Sequence, residues 1–232
     1  TVSMAVEAGR QALAQTGVRP EELDMIVVST MSPDAVLPCT ACEVQKAIGA
    51  EGAVCFDLQA ACTGFIFAYN TAQAYIQSNM CRTVLLIGSE RLSRLVDWTD
   101  RGTCILFGDG AGAAVLKAAE GRAYLPVSHS DGKKGEALTC NRYIHMDGRA
   151  VFQFAVTRVP EVIREVLTKN ELLMDDIDYF VLHQANRRIV EAVAKRLGQP
   201  IEKFPMNLQE YGNTSSASIP ILLDEMNRSG KL

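Results

Sequence analysis

No apolar run in this sequence approaches the roughly 20 residues that a helix needs to cross a bilayer, so the chain offers no membrane span. Its first residues also lack the charged start, apolar core and small-residue cleavage site of a secretory leader. Basic charge is not in excess: 23 Lys and Arg stand against 27 Asp and Glu, a formal charge of -4. No basic stripe interleaves with aromatics, which argues against nucleic acid as a partner. Histidine is scarce. His129, His145 and His183 have no ligand spacing and no cysteine pair beside them, so no metal site is expected. The seven cysteines are odd in number and lie mostly in apolar stretches. That usage suits free thiols in a reducing cytoplasm better than a disulfide framework. Cys39 and Cys42 form a C-x-x-C, but the pair runs directly into the helical stretch Glu43 to Lys46 and reads as two buried helix cysteines.

What is present is an ordinary globular composition, 48% hydrophobic with a mean hydropathy of +0.06. Residues 2–15 carry apolar positions at helical spacing and stop at Gly17, a C-cap residue. Short β-branched runs at 24–30, 53–58, 83–88, 103–107 and 111–116 read as strands, and 38–48 and 63–78 as helices. In the second half, helices are expected at 159–169, 187–197 and 216–227, with strands at 178–182 and 204–209. Strands alternating with helices imply an α/β fold around a buried sheet. The halves also repeat. "ELDMIVVST" aligns with "DIDYFVLHQ" and "FDLQAACTG" with "MNLQEYGNTS", both offset by about 150 residues. An internal duplication of a β-α-β-α unit follows, with one half at 1–120 and the other at 121–232.

That duplication sets Cys62 and Asn213 at matching strand-to-helix turns, with His183 at the end of another strand. Ligands in open α/β sheets collect at the carboxyl ends of strands. A thiol opening a helix faces free N–H groups and the positive end of the helix dipole, and both favour thiolate. The same N–H groups can hold an oxyanion, and Ala60, Ala61 and Gly64 leave room for a substrate. The Gly108-Asp109-Gly110-Ala111-Gly112 run is not a phosphate-binding pattern. It reads as a turn that lets backbone pass close to the site.

The strings "AACTGF", "DWTDRGTCILFGDGAGAAVL", "HMDGRAVF", "HQAN" and "GNTSSAS" together resemble the β-ketoacyl-acyl-carrier-protein synthases of the third class, within the thiolase-like superfamily. The resemblance covers nearly the whole chain and implies a layered α-β-α-β-α fold. It implies that Cys62 accepts the acyl group, while His183 and Asn213 polarise the thioester carbonyl of the second substrate. Arg101, Phe152, Asn186 and Arg188 match positions that contact coenzyme A or the carrier protein. Leu37 matches a residue that crosses a homodimer into the partner's acyl pocket. The implied partners are acyl-coenzyme A and malonyl-acyl-carrier protein, used as substrates with no cofactor, in a cytoplasmic enzyme that initiates fatty acid biosynthesis. Against the family pattern, a leading stretch, the closing strands with their glycine-rich loop, and a segment near 138–143 have no counterpart, so the fold is expected to be incomplete, with exposed sheet edges. Competing readings are a polyketide-type condensing enzyme, a cysteine thioester hydrolase using His183 as the base for water, and a catalytically silent scaffold.

Overall fold

The computed structural model describes residues 1–232. Its centre is a four-stranded sheet built from β1 (Met25–Ser29), β2 (Val54–Leu58), β3 (Thr83–Arg91) and β4 (Asp109–Lys117), in the order β2-β1-β3-β4. β1 pairs in parallel with both neighbours, while β4 returns antiparallel to β3 with Asp109 opposite Arg91. Every residue of β1 is buried, which explains why its sequence is a continuous apolar run rather than an alternating one.

Side chains on a strand point alternately to opposite faces. Ile26 and Val28 of β1 and Leu85 and Ile87 of β3 therefore meet α1 (Val2–Thr16) and α2 (Thr40–Ile48), through Ala5, Leu13, Ala41 and Val44. Met25, Val27, Val84 and Leu86 face the other way, onto α3 (Gly64–Gln77) through Phe65, Ala68 and Ala72. α1 and α2 end where expected, at Gly17 and Gly49 in the left-handed region. α2 begins where the Asp57 carboxylate of β2 accepts hydrogen bonds from the Thr40 and Ala41 N–H groups, both at 2.8 Å.

The second half is mostly helical. A hairpin of β5 (Leu138–Cys140) and β6 (Ile144–Met146), closed tightly through 141–143, precedes α4 (Gly148–Lys169), α5 (Arg187–Leu197), α6 (Leu208–Tyr211) and α7 (Ser218–Arg228). A separate core joins Phe180, Val190, Val193, Ala194, Leu197 and Phe204, with the two phenylalanine rings stacked at 4.8 Å. α7 packs on the central sheet through Ile219, and so carries the chain's last segment back to β3 and β4.

Several expected elements differ. Residues 103–107 are not a strand: 101–106 form turns, and only Phe107 bridges, in parallel, to Asn213. Residues 178–182 run without a ladder, because a strand needs a neighbour and this segment has one backbone bond, from Phe180 N–H to the Lys203 carbonyl. Residues 204–209 are likewise irregular until α6. α4 begins eleven residues earlier than its apolar pattern suggests, because the Asp147 carboxylate accepts from the Arg149 and Ala150 N–H groups. The α/β class stands, with one β layer paired as a sheet and the second represented by unpaired extended chain. The outer edge of β4 pairs with no strand, and a cleft of about 680 Å³ runs along it between α1 and α7.

Candidate active site

The parallel strands β1, β2 and β3 end on the same side of the sheet, and three chain segments meet there. The first follows β2: a 3-10 turn at Ala61–Thr63 leads into α3 and carries Cys62. Ala61 sits at φ 44°, a region that costs a residue with a Cβ about 1–2 kcal/mol. The Cys62 backbone N–H has no acceptor among the turn and loop hydrogen bonds, so it is free for an incoming oxygen. The second segment brings His183 at the end of the extended 178–182 stretch. The third is 213–218, which enters between β3 and α3 before starting α7.

Backbone closeness explains how that third segment fits. A Cβ on Gly108 would lie 2.0 Å from the Tyr211 carbonyl oxygen, and one on Gly112 2.6 Å from the Ile221 nitrogen. The glycine run therefore does allow close passage of backbone, though as the first residues of β4 rather than as a turn between two strands. Ser215 is also left-handed, at φ 49°. Backbone strain at both Ala61 and Ser215 marks the same place from two directions, as strain tends to at functional sites.

Hydrogen bonds fix the orientation of two of the three side chains. His183 Nδ1 lies 2.7 Å from Ser218 Oγ. That hydroxyl donates its proton to the Ser215 carbonyl at 2.9 Å and accepts from the Gln184 N–H. It can therefore only accept from the ring, which places a proton on Nδ1 and turns Nε2 toward the cavity. Nε2 is buried and has no hydrogen-bond partner in the fold. Asn213 is pinned by its Oδ1, which accepts from the Ser215 N–H at 2.9 Å. Its Nδ2 is used by no hydrogen bond of the fold and remains a free donor.

Burial pushes the Cys62 thiol up, yet the positive charge of His183 and the polar surroundings that His183 and Ser215 supply outweigh it. The thiol titrates below its ordinary range. For His183 burial works downward, and the Cys62 thiolate overcomes it and raises the imidazole above its ordinary value. Each shift has the other group's charge as a cause, so the two groups favour each other's charged form. Glu90, at the end of β3 and fully buried, opposes the Cys62 shift. Its carboxylate accepts from the hydroxyls of Ser32 at 2.6 Å and Ser216 at 2.9 Å, and from the Met31 N–H at 3.1 Å. Burial still raises its own pKa, the hydrogen bonds resisting. Glu90, Ser215 and Ser218 do not stand out in the sequence. For Glu90 the one available signal is a lone carboxylate closing the otherwise uncharged strand Thr83 to Ser89.

The other expected site residues lie further out. Leu37 is 83% exposed in the segment before α2. Arg101 is exposed in the 101–106 turns, Phe152 is half-buried on the first turns of α4, and Arg188 is exposed on α5. Asn186 has a structural use, accepting the Arg188 N–H as the N-cap of α5. None of the five hydrogen-bonds to Cys62, His183 or Asn213. Cys39 and Cys42 are half-buried rather than buried, flanking the buried Thr40 and Ala41. No group of three or more His, Cys, Asp or Glu side chains is arranged to hold a metal ion, and no helix is long and apolar enough to cross a membrane.

Comparison with known proteins bears on this arrangement. Residues 56–132 match the sequence model of 3-oxoacyl-[acyl-carrier-protein] synthase III, and 167–232 match that of its C-terminal part. The β-ketoacyl-[acyl-carrier-protein] synthase III of Clostridium acetobutylicum is 45% identical over 249 residues, covering all of this chain and 77% of that protein. The crystal structure of the Aquifex aeolicus 3-oxoacyl-[acyl-carrier-protein] synthase III superposes with a TM-score of 0.97 at 44% identity, over the whole of this chain and 76% of that one. A priming β-ketosynthase of a polyketide biosynthetic pathway reaches 0.95 at 37% identity, over 100% and 75% of the two chains. With Cys62 in the turn that leads into α3 and its charge state set by His183, in the thiolase-like frame that these relatives share, the chain belongs to the β-ketoacyl-[acyl-carrier-protein] synthase III family of condensing acyltransferases.

Proposed function

We propose that this protein joins a short acyl-coenzyme A primer to malonyl-acyl-carrier protein with loss of carbon dioxide, giving the β-ketoacyl-carrier protein that opens fatty acid biosynthesis. The convergence of Cys62, His183 and Asn213 at one strand end, with Nε2 and Nδ2 both left without partners, carries this reading.

In the first half-reaction the Cys62 thiolate attacks the acyl-coenzyme A carbonyl. The Cys62 N–H donates to the developing oxyanion, and coenzyme A leaves as thiolate, while the imidazolium keeps its proton on Nε2. In the second, malonyl-carrier protein places its thioester oxygen between His183 Nε2–H and Asn213 Nδ2. Breaking the carboxylate's carbon–carbon bond releases carbon dioxide and leaves an enolate on that oxygen. The enolate carbon then attacks the acyl-Cys62 carbonyl, and collapse expels Cys62 as thiolate, restoring the ion pair. Donors set in place before charge develops are worth about 3–4 kcal/mol each. His183 thus acts twice, first holding the thiolate and then holding the enolate.

No added cofactor enters these steps. Arg101, Phe152, Asn186 and Arg188 form the proposed contact region for coenzyme A and the carrier protein. Val36 and Leu37, 87% and 83% exposed, are the proposed contact with a second copy in a homodimer. Residues 1–120 and 121–232 act as the nucleophile-bearing half and the His–Asn half. Intact-mass measurement after mixing with acetyl-coenzyme A tests the assignment. One acetyl group is expected, lost in Cys62→Ala; an adduct that survives in Cys62→Ala refutes it.

A further inference from the structure

No sheet holds the segment that carries His183. Residues 178–182 make one backbone hydrogen bond, from the Phe180 N–H to the Lys203 carbonyl, so no ladder fixes the direction in which the chain delivers the next residue. The side chain after His183 supplies a substitute. Gln184 is 1% exposed, and a carboxamide buried that deeply needs its polar atoms paired. Its Nε2 donates to the Leu182 carbonyl at 2.8 Å, and its Oε1 accepts from the Asn207 N–H at 3.3 Å. One partner is an acceptor and the other a donor, so a single orientation of the amide satisfies both. We propose that Gln184 is a positioning residue for His183, its carboxamide standing in for the peptide of a missing strand neighbour. The inference rests on the part given to His183 in the proposed reaction.

The contacts close into a ring. Asn207 passes the hold on, because its Nδ2 donates to Glu225 Oε2 on α7 at 2.9 Å. Glu225 is fixed in turn by the Tyr211 hydroxyl. α7 begins at Ser218, whose hydroxyl lies 2.7 Å from His183 Nδ1 and also accepts from the Gln184 N–H at 3.3 Å. His183 is therefore held twice from one helix. Ser218 holds its ring directly, and Glu225 holds its backbone by way of Asn207 and Gln184. The first hold sets which nitrogen carries the proton, and the two together set where Nε2 points. Gln184 makes no hydrogen bond to Cys62 or Asn213, so its effect on the chemistry passes through His183. A misplacement of about 1 Å that originates away from the reacting atoms can cost about 10²-fold in rate.

The test is Gln184→Met in the whole chain, which keeps the length of the side chain and removes both of its hydrogen bonds. The first readout is proton NMR. The Nδ1–H held by Ser218 is expected as a downfield signal, identified by its loss in His183→Ala, and it should broaden or vanish in folded Gln184→Met. Alkylation of Cys62 should move to higher pH, because the imidazolium no longer sits where it favours the thiolate. Decarboxylation of malonyl-carrier protein should slow by about 10–10²-fold, with KM for that substrate unchanged. Should Gln184→Met not fold, Asn207→Ala opens the same ring further from His183 and should give the same changes in smaller measure. Where both fold, their losses should not add in the double variant, because each opens one ring. An intact Nδ1–H signal with an unmoved Cys62 profile in either folded variant, or losses that add, would overturn the inference. A signal and profile that shift in a protein releasing no carbon dioxide would uphold it and refute the proposed reaction instead.

Discussion

Replacing Ser218 by alanine tests the ion pair without touching any reacting atom. The Ser218 hydroxyl is the acceptor for His183 Nδ1 at 2.7 Å, and it can accept because it donates to the Ser215 carbonyl. A hydrogen bond to a charged group is worth about 1.5–3 kcal/mol net, and one to a neutral group about 0.5–1.5. The imidazolium therefore loses about 1.4 kcal/mol more than the neutral ring would, which shifts the balance from ion pair to neutral pair about tenfold. The sign follows from the directions of the two shifts. In the intact protein the thiol is lowered and the imidazole raised, which favours the ion pair over the neutral pair between their ordinary ranges. In Ser218→Ala the neutral pair competes there, and full thiolate returns only toward the ordinary thiol range. The assay is the rate of Cys62 alkylation by iodoacetamide across pH 5–10, with the peptide Ala47–Arg82 mapped to confirm the site. Expected is a rate at neutral pH about tenfold lower, with its rise displaced to higher pH. Removing a buried hydroxyl also costs about 1–3 kcal/mol of stability, so the melting temperature is checked in parallel. A folded Ser218→Ala with an unchanged pH profile would refute the tautomer and the pairing together.

Asn213→Ala is expected to keep acetylation of Cys62 but to slow malonyl decarboxylation by about 10²–10³, read by carbon dioxide release; equal loss in both half-reactions would sink the assigned role. His183→Ala should impair both, because the thiolate loses its counter-charge as well as the enolate losing a donor, and single-turnover acylation separates the two effects. Glu90→Gln removes a negative charge that raises the Cys62 thiol, so alkylation of Cys62 should persist to lower pH than in the unaltered protein. An unshifted or upward-shifted profile would show that Glu90 is neutral in the folded state. Leu37→Asp should weaken self-association, seen as a lower sedimentation coefficient at equal concentration, while the acetyl-Cys62 adduct still forms.

Much of the first half is legible in the amino-acid pattern. β1, β2, β3, α1, α2 and α3 lie within a few residues of their patterns, because burial on both sides of a parallel strand and glycine at a helix end leave local marks. The segments whose patterns mislead share one cause. At 103–107 and 178–182 the residues are β-formers, but a strand exists only where a neighbour supplies a ladder, and neighbours are tertiary. The start of α4 escapes its pattern because Asp147 caps a stretch whose apolar spacing begins later. In the C-x-x-C the helix is legible, but not the partial exposure of its two thiols.

The same division holds at the site. Sequence alone marked Cys62, His183 and Asn213 as the candidates, since they lie in strings too specific to be generic turns, and it determined the α/β frame that presents strand ends to a ligand. Only the tertiary structure decided what state they are in. Whether Nε2 or Nδ1 carries the proton depends on Ser218, 35 residues from His183 along the chain. The Asn213 amide oxygen is held by the Ser215 N–H, which leaves its nitrogen to face outward, and Glu90 from a third segment pushes the Cys62 thiol up. A residue's identity is local, but its charge and its free donors are set by what folding brings within a few ångströms.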